Sequence, residues 1–505
     1  MKWPKWLSRS KPAPPRARRR QWKGYAGAAL TRLLSSWSAP SYSPNTELRY
    51  ELELLRARSR SLEQDNAYGR RYVKLVESNV VGPGVMFQSR ITTGGGTLNT
   101  TANDRVEKAW REWGRRGNCD VTAALSWAQV ERLVIKSVCR DGEVLVRLVP
   151  NFQNPARFAV QILEADYLAT IRNEELPDGG RIVMGVEVDR WGARRAYHLL
   201  KNHPGDPYSR LAAWETERVP ASEILHVYLP ERPGQLRGVP WCHAVMTDLK
   251  HLGAFEEAAI VAARIGASKM GFFQSEDGGE YGGEGAQDDA SPTITSAEPG
   301  SFEQLPPGFK FEAFNPDYPH AVFSPFVKRA LQKVASGLNV SYLSLSGDLE
   351  GTSYSSGRIG LIDERDGWKV LQEWLIDALH GPIFAVWIER ALLSGTLALP
   401  YSDLAKITAP SWQPRRWAWV DPLKDQQANV EAINNRLKAP SAVVAETGED
   451  YEDLCRQIER DAATRAKYGV ADPVETKSAT PGSAPAMPDD SPDDPPQDPA
   501  TQEQA

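Results

Sequence analysis

Cysteine is scarce: the 505 residues hold only Cys119, Cys139, Cys242 and Cys455, and no two form a Cys-x-x-Cys pair. That spacing excludes the common zinc and thioredoxin-like patterns and predicts free thiols in a reducing, intracellular setting. No apolar run approaches the roughly 18 residues of a membrane span. The basic N-terminus is not followed by an apolar core, which argues against a secretory signal. No Gly-x-x-x-x-Gly-Lys-Ser/Thr loop is present, which excludes ATP hydrolysis by that route, and no His-Glu-x-x-His occurs. The seven histidines, His198, His203, His226, His243, His251, His320 and His380, show no ligand pairing with cysteine. The run Gly351–Gly357 looks superficially like a serine nucleophile loop, but it lacks the Gly-x-Ser-x-Gly spacing and an evident histidine partner. Asp363, Glu364 and Asp366 are candidates for a divalent ion, but a helix N-terminal region accounts for such acids more simply. The expectation is a chain with no catalytic centre, no metal and no cofactor.

What is present is a globular middle between two unusual ends. Hydrophobic residues make up 41% and charged residues 25%, enough for several domains with a real core. Met1–Lys23 carries nine Lys or Arg and no acid, whereas Ala471–Ala505 is rich in Pro, Asp and Ser with eight acids and one Lys. Residues 1–45 read as a basic disordered arm, with a short helix at Tyr25–Trp37, and 471–505 as an acidic disordered tail. The arm suits a solvated tail or contact with nucleic acid. Sixteen tryptophans suit either core packing or large subunit contacts.

Hydrophobic spacing places the elements between these ends. Helices are predicted at Thr46–Val81, Asn103–Gly114 (capped by Asn103 or Asp104), Ser126–Cys139, Pro240–Gly266, Ser324–Gly337, Gly357–Leu393, Asp421–Leu437 and Tyr451–Tyr468. Pro240 suits a first helical turn. Strands are predicted at Val85–Ile91, Glu143–Pro150, Phe158–Leu168, Arg181–Arg190, Ala196–Leu200, Ile224–Leu229 and Phe309–Phe314, with turns at Asp141-Gly142 and Trp191-Gly192. Gln274–Glu298 reads as an exposed acidic, Gly-rich loop. The helix from Gly357 is apolar on too many sides for a surface stripe, and Pro382, after Gly381, predicts a kink within it.

The stretch Leu338–Arg358 stands out. It is a run of small polar residues in which only Arg358 is basic, while Asp348 and Glu350 are acidic. Small polar side chains let a backbone lie close to a moving polymer, where dense Lys and Arg would grip phosphates. The same composition also suits an ordinary flexible connection.

Several short stretches, taken in order, resemble the lambda-like family of tailed-phage portal proteins. They are Asn79-Val-Val-Gly82 with Gly84, Cys139-Arg-Asp-Gly-Glu-Val144, Arg237-Gly-Val-Pro-Trp241, Leu305-Pro-Pro-Gly308 with Pro316, Ser344-Leu-Ser-Gly-Asp348, Tyr354-Ser-Ser-Gly-Arg358 and Trp419-Val-Asp-Pro-Leu-Lys424. The resemblance covers Tyr25–Tyr468; one departure is Gly357, where the family usually has Ala. It implies an α+β portal-type protomer: a β-rich wing over 46–239 and 357–420, stem helices at 240–266 and 324–337, an α/β clip at 267–323, a tunnel loop at 338–356 and a helical crown at 421–470. It implies a homo-oligomeric ring of about twelve subunits at one capsid vertex. Double-stranded DNA would pass through that ring during packaging and ejection. The implied partners are the terminase large subunit, the major capsid or scaffold protein and a head-completion adaptor. The implied location is the virion, with the host cytoplasm during assembly. Ser346, Asp348, Glu350, Thr352, Ser353, Tyr354 and Arg358 then become candidate DNA-channel residues, and Gly381 and Pro382 the kink that anchors them. The competing readings are a nucleic-acid-processing hydrolase acting near Ser353–Asp366 and a non-viral scaffold.

Overall fold

The computed structural model describes residues 41–93, 99–206, 215–267, 271–275, 309–313, 323–350, 353–401, 404–407, 410–417, 422–447 and 450–469. Residues 1–40 of the basic arm, with the helix expected at Tyr25–Trp37, nearly all of the Gly-rich acidic loop and the acidic tail lie outside them; the arm's last residues, 41–45, are described, and a helix already begins at Pro44.

Helix α1 (Pro44–Asp65) begins where Ser43 Oγ accepts the Thr46 N–H at 3.2 Å and Pro44 occupies the first turn. Leucine spacing predicted one helix through Val81, but Asn66 interrupts it. Its backbone is extended (φ −113°, ψ 122°), and its carboxamide accepts the N–H groups of Tyr68 and Gly69 to start α2 (Ala67–Val76). An asparagine cap thus competes successfully with helix continuation. A Cβ at Gly69 would lie 2.8 Å from the Leu62 carbonyl oxygen, so the corner needs glycine. A π turn, Glu77–Val81, follows and ends at Gly82. After β1 (Met86–Gln88) comes α3 (Thr100–Trp113), capped by Asn99 rather than by Asn103 or Asp104. Asn103 instead faces inward and holds both backbone groups of Ile91. Helix α4 (Trp127–Asp141) carries a Ser126–Gln129 capping box and stops at Gly142, φ 88°.

Ten described strands follow in two sheets and a hairpin. They are β2 (Glu143–Pro150), β3 (Phe158–Glu164), β4 (Glu174–Glu175), β5 (Arg181–Val183), β6 (Val186–Val188), β7 (Arg194–Leu200), β8 (Thr216–Pro220), β9 (Ile224–Tyr228) and, later, β10 and β11. One antiparallel sheet has the order β3-β2-β9; the other is the meander β4-β5-β6-β7-β8. The single strand expected at Arg181–Arg190 is a tight hairpin. Met184 (φ 48°) and Gly185 (φ 81°) both take the left-handed conformation that a two-residue turn requires. Ile182, Met184, Val186 and Val188 are nevertheless all buried. Val186 and Val188 join Leu145, Leu168, Tyr197, Leu199 and Ile224 in one core between the sheets.

Helix α5 (Met246–Ala267) starts later than predicted, after a short 3-10 turn at His243–Val245. Pro240 lies outside any helix because the backbone here is held elsewhere: Trp241 N–H donates to the Cys139 carbonyl at 3.1 Å. Hairpin β10 (Gly271–Ser275) and β11 (Phe309–Ala313) leads to α6 (Phe323–Gly337), α7 (Tyr342–Ser346) and α8 (Tyr354–Leu375). A second π turn, Ile376–His380, joins α8 to α9 (Gly381–Leu393), with Pro382 in the first turn of α9. Then come α10 (Leu404–Ile407) and β12 (Ser411–Gln413), which pairs with β1. Phe87, Trp110, Trp113, Trp127, Phe384, Trp387 and Trp412 form one aromatic cluster, with Trp110 5.0 Å from Trp387 and Phe87 4.8 Å from Phe384 between centroids. Such rings bury large apolar areas, and here they join α3, α4, β1 and α9. Core packing therefore accounts for this share of the tryptophans.

Residues from Gln413 onward form a separate unit. It contains α11 (Pro422–Asn434), shorter than expected, an unanticipated α12 (Pro440–Thr447) and α13 (Tyr451–Tyr468). Asp450 caps α13 by accepting the N–H groups of Glu452 and Asp453. No described helix is long and apolar enough to cross a membrane.

Candidate functional site

The polar stretch after α6 is more structured than a loop. Ser341 caps α7, accepting the Ser344 N–H at 3.1 Å, and Gly347 (φ 72°) ends it. Ser346 is the last residue of α7; its Oγ donates to the Tyr342 carbonyl at 2.7 Å and accepts the Asp348 N–H. Asp348 is occupied within the segment. One carboxylate oxygen accepts the Glu350 N–H at 2.9 Å, the other accepts Tyr342 Oη–H at 2.8 Å, and Lys328 Nζ lies 3.7 Å away. The Glu350 N–H, the Tyr342 hydroxyl and the Lys328 charge hold the Asp348 carboxyl below its ordinary range. Glu350 and Ser353 are exposed, and Thr352 lies outside the described residues. Tyr354 and Arg358 belong to α8, which begins three residues before the predicted Gly357: the Gly357 N–H already bonds the Ser353 carbonyl at 3.0 Å.

Glu364, expected only to suit a helix start, ties this segment down. One oxygen accepts both the Ser341 N–H (3.1 Å) and the Ser344 hydroxyl (2.7 Å), and the other accepts the Trp368 indole N–H. Arg71 Nε adds a bond to the Ser344 carbonyl. Glu364→Gln is expected to weaken this tether by about 1 kcal/mol. Amide exchange at Ser341 and Ser344 should quicken several-fold, while helix content stays constant; unchanged exchange would show that α7 is held by packing alone.

Beneath the lead-in to α5 lies a buried ionic corner. Glu143 accepts from Arg237 Nε at 2.8 Å, the Gly238 N–H at 2.8 Å and His226 Nε2 at 2.8 Å. Arg237 also donates to the carbonyls of Met184 and Ala165, so a single side chain joins β2, the β5–β6 hairpin and the chain entering α5. The backbones interlock too: a Cβ at Gly142 would lie 2.3 Å from the Val239 carbonyl carbon, and one at Gly238 2.1 Å from the Gly142 oxygen. Burial pushes the Glu143 carboxyl up, but the charge of Arg237 and the His226 bond outweigh it, so Glu143 stays ionised well below its ordinary range. Burial lowers His226 and His198. Neutral His226 then donates through Nε2, which fits a buried Nδ1 with no partner.

A histidine lowered on folding stabilises fully above its unfolded value of about 6.5 and loses that contribution as pH falls through its folded value. Glu143 acts in the same direction in a more acidic window. The thermal midpoint is therefore expected to drop between pH 7 and pH 5, and less steeply in His226→Gln. A flat profile would contradict the buried neutral histidine.

A second buried pair lies at the α8–α9 joint. His380 Nε2 is 2.8 Å from Glu131 Oε1, and Glu131 Oε2 accepts the Val85 N–H. Gln372 donates to the Asn79 carbonyl, linking the helix before this joint to the other π turn. Glu164, Asp166 and His203 bring three potential ligand atoms together. Arginines already occupy the cluster, however: Arg60 lies 3.4 Å and Arg140 3.5 Å from Glu164, and Arg56 3.8 Å from Asp166. Its charges are satisfied as an ion-pair network without a metal.

The family profile described as phage portal protein, lambda family, matches residues 30–372. The chain belongs to that family. Relatives agree over nearly the whole length. The probable portal protein of Halomonas phage phiHAP-1 is 36% identical over 92% of this chain and 90% of its own. Portal protein B of Escherichia phage lambda is 24% identical over 91% of this chain and 93% of its own. Among solved structures, the neck of an empty gene transfer agent particle is 14% identical, covers 83% of this chain and 98% of its own, and has a TM-score of 0.43. This portal protein is thus a phage virion component of a structural family. The Cys139–Val144 and Arg237–Trp241 stretches that carried the resemblance are the two halves of the buried corner. Sequence reading quoted both but missed their contact, because nothing local marks a pairing across about a hundred residues.

Proposed function

We propose that this portal protein closes into a ring of about twelve copies, through which double-stranded DNA is packaged and ejected. The carrying observation is the family match, which spans residues 30–372 and so includes the whole 338–358 segment. In this reading α5 and α6 are stem helices, β10–β11 belongs to the clip that meets the terminase large subunit and later a head-completion adaptor, and the outer part meets the major capsid or scaffold protein. Assembly takes place in the host cytoplasm. Exposed Ile359, Ile362 and Val370 on α8 support a heterologous contact between neighbouring copies. Gly381 and Pro382 at the helix joint anchor the channel segment.

The low basicity of that segment lets DNA slide past. Since Asp348 is engaged internally, Glu350 is the acid free to face a phosphate backbone. Glu350→Lys is expected to slow packaging in an in vitro assay several-fold at low salt, with ring assembly intact and the defect fading as salt rises. Normal packaging by this variant would count against contact of this segment with DNA. Native mass spectrometry with negative-stain imaging tests the ring itself: a closed ring with a central hole is expected, and a monomer with nuclease or esterase activity would overturn the reading.

A further inference from the structure

An arginine-rimmed groove sits between the β6–β7 turn and the segment after β9. It has a volume of about 700 Å³ and is lined by Arg181, Arg190, Trp191, Arg194, Arg232 and Glu231, among others. Trp191, at the tip of the turn, is 81% exposed, although the turn itself is firmly built: the Asp189 carboxylate accepts the N–H groups of Trp191 and Ala193, both at 2.8 Å. Tryptophan and arginine are both enriched at protein interfaces relative to the rest of the surface. Arg190 lies over the Trp191 ring at 5.2 Å, and Arg194 over the Tyr228 ring at 5.2 Å.

The charge around this groove is unbalanced. Among the described residues, Arg181, Arg190 and Arg194 have no acid within ion-pair distance, whereas nearby Arg195 pairs with Asp178, Arg218 with Glu187 and Arg232 with Glu47. Two nearby acids are committed elsewhere, Asp189 to the turn and Glu187 to Arg218 and His198; Glu231 is the one acid in the lining, and Glu175 sits opposite Arg181 in the β4–β5 register without pairing with it. Arg181, Arg190 and Arg194 therefore line one concavity whose wall also includes Tyr228, Pro230, Pro233 and Trp191, and Arg194 donates to the Tyr228 hydroxyl as well.

We propose that this groove is a docking site for an acidic peptide segment of a partner protein, its carboxylates on Arg181, Arg190 and Arg194 and an apolar side chain against Trp191. Arginine forks match carboxylates bidentately, and Trp and Arg together are the residues that dominate binding energy at protein interfaces. The size of the site favours a peptide over nucleic acid. A concavity of this volume seats a few residues, while a duplex, whose major groove alone is about 12 Å wide, cannot enter it. A surface that tracks phosphates would also extend as a basic stripe, and here the cations are confined to one groove. The proposal does not depend on the channel reading, because binding at this face can be measured whether or not a ring forms.

The test uses the full-length protein and a pool of fluorescent peptides that alternate Asp or Glu with Leu, Phe or Pro. Selection on the wild-type chain should retain a subset that binds at low salt. Those peptides should bind Arg181→Glu/Arg190→Glu and Trp191→Ala about tenfold more weakly or worse (about 1.4 kcal/mol). Both variants change exposed side chains, so an unchanged thermal midpoint should confirm an intact fold. Equal retention by wild type and the double variant, or no retention by either, overturns the proposal. A short DNA duplex that binds tightly and loses affinity in the same variants overturns it in favour of nucleic acid.

Discussion

Arg237→Met is expected to destabilise the protein by about 3–5 kcal/mol, read as a lower urea midpoint with an unchanged slope. The cause is the carboxylate it leaves behind. Glu143 and Arg237 are both fully buried, and Arg237 Nε lies within 3.0 Å of both Glu143 oxygens. Removing one partner strands a charge in a low-dielectric interior. Arg56, 3.5 Å from Glu143, is too distant to replace it well, and His226 is lowered and neutral. The double variant Glu143→Gln/Arg237→Met should recover part of the loss, because it removes both charges; a double variant as unstable as the sum of the singles would show that the two residues act independently. An unchanged midpoint in Arg237→Met would mean that Arg56 and His226 alone satisfy the carboxylate.

The second large effect is steric. Gly238→Ala places a methyl group 2.1 Å from the Gly142 oxygen and 2.6 Å from its carbonyl carbon, and both are backbone atoms that no rotamer change can move. The two backbone segments would have to separate, breaking the Gly238 N–H bond to Glu143. The expected cost is about 4–5 kcal/mol or more, seen as loss of soluble folded protein. Gly192→Ala is the control. Gly192, unlike Gly238, has a positive φ, 88°, but nothing lies within 4 Å of its Cβ position. It should lose only the about 1–2 kcal/mol of left-handed strain. Equal behaviour of the two variants would refute a close-contact role for Gly238.

The local elements were largely legible, because their signals are local. The Asp141-Gly142 and Trp191-Gly192 turns, the α4 face and the strand at Ile224 follow from residue types a few positions apart. The failures have a common physical form. Asn66 was missed because leucine spacing runs straight past it while its side chain caps a new helix. Met184 reads as a strand residue because alternation continues through it, whereas the two-residue turn between Val183 and Val186 requires its φ of 48°, and its N–H is held by the Asn173 carboxamide oxygen. Pro240 fits a helix start in isolation, yet the bond from Trp241 to Cys139 holds that backbone out of the helix. In the candidate channel segment, Asp348 and Glu350 read alike in sequence, as acids that repel phosphate, but Asp348 is engaged within its own segment. The Tyr342 hydroxyl and the Glu350 amide bind it, and no pattern of small polar residues reveals which acid is spent on its own chain.

The π turn between α8 and α9 has a consequence for phase. A five-residue turn carries about one residue more than an α turn, so everything beyond it is rotated by about 100° relative to a continuous helix. That rotation is what lets Leu379 and His380 both face inward, with His380 reaching Glu131, and it makes Pro382 a first-turn residue whose missing N–H costs nothing. Such a joint is a gear tooth with discrete settings rather than a soft bend. Gaining or losing one residue of register there would turn α8, and the segment that Glu364 holds against it, by a fixed angle in a single step.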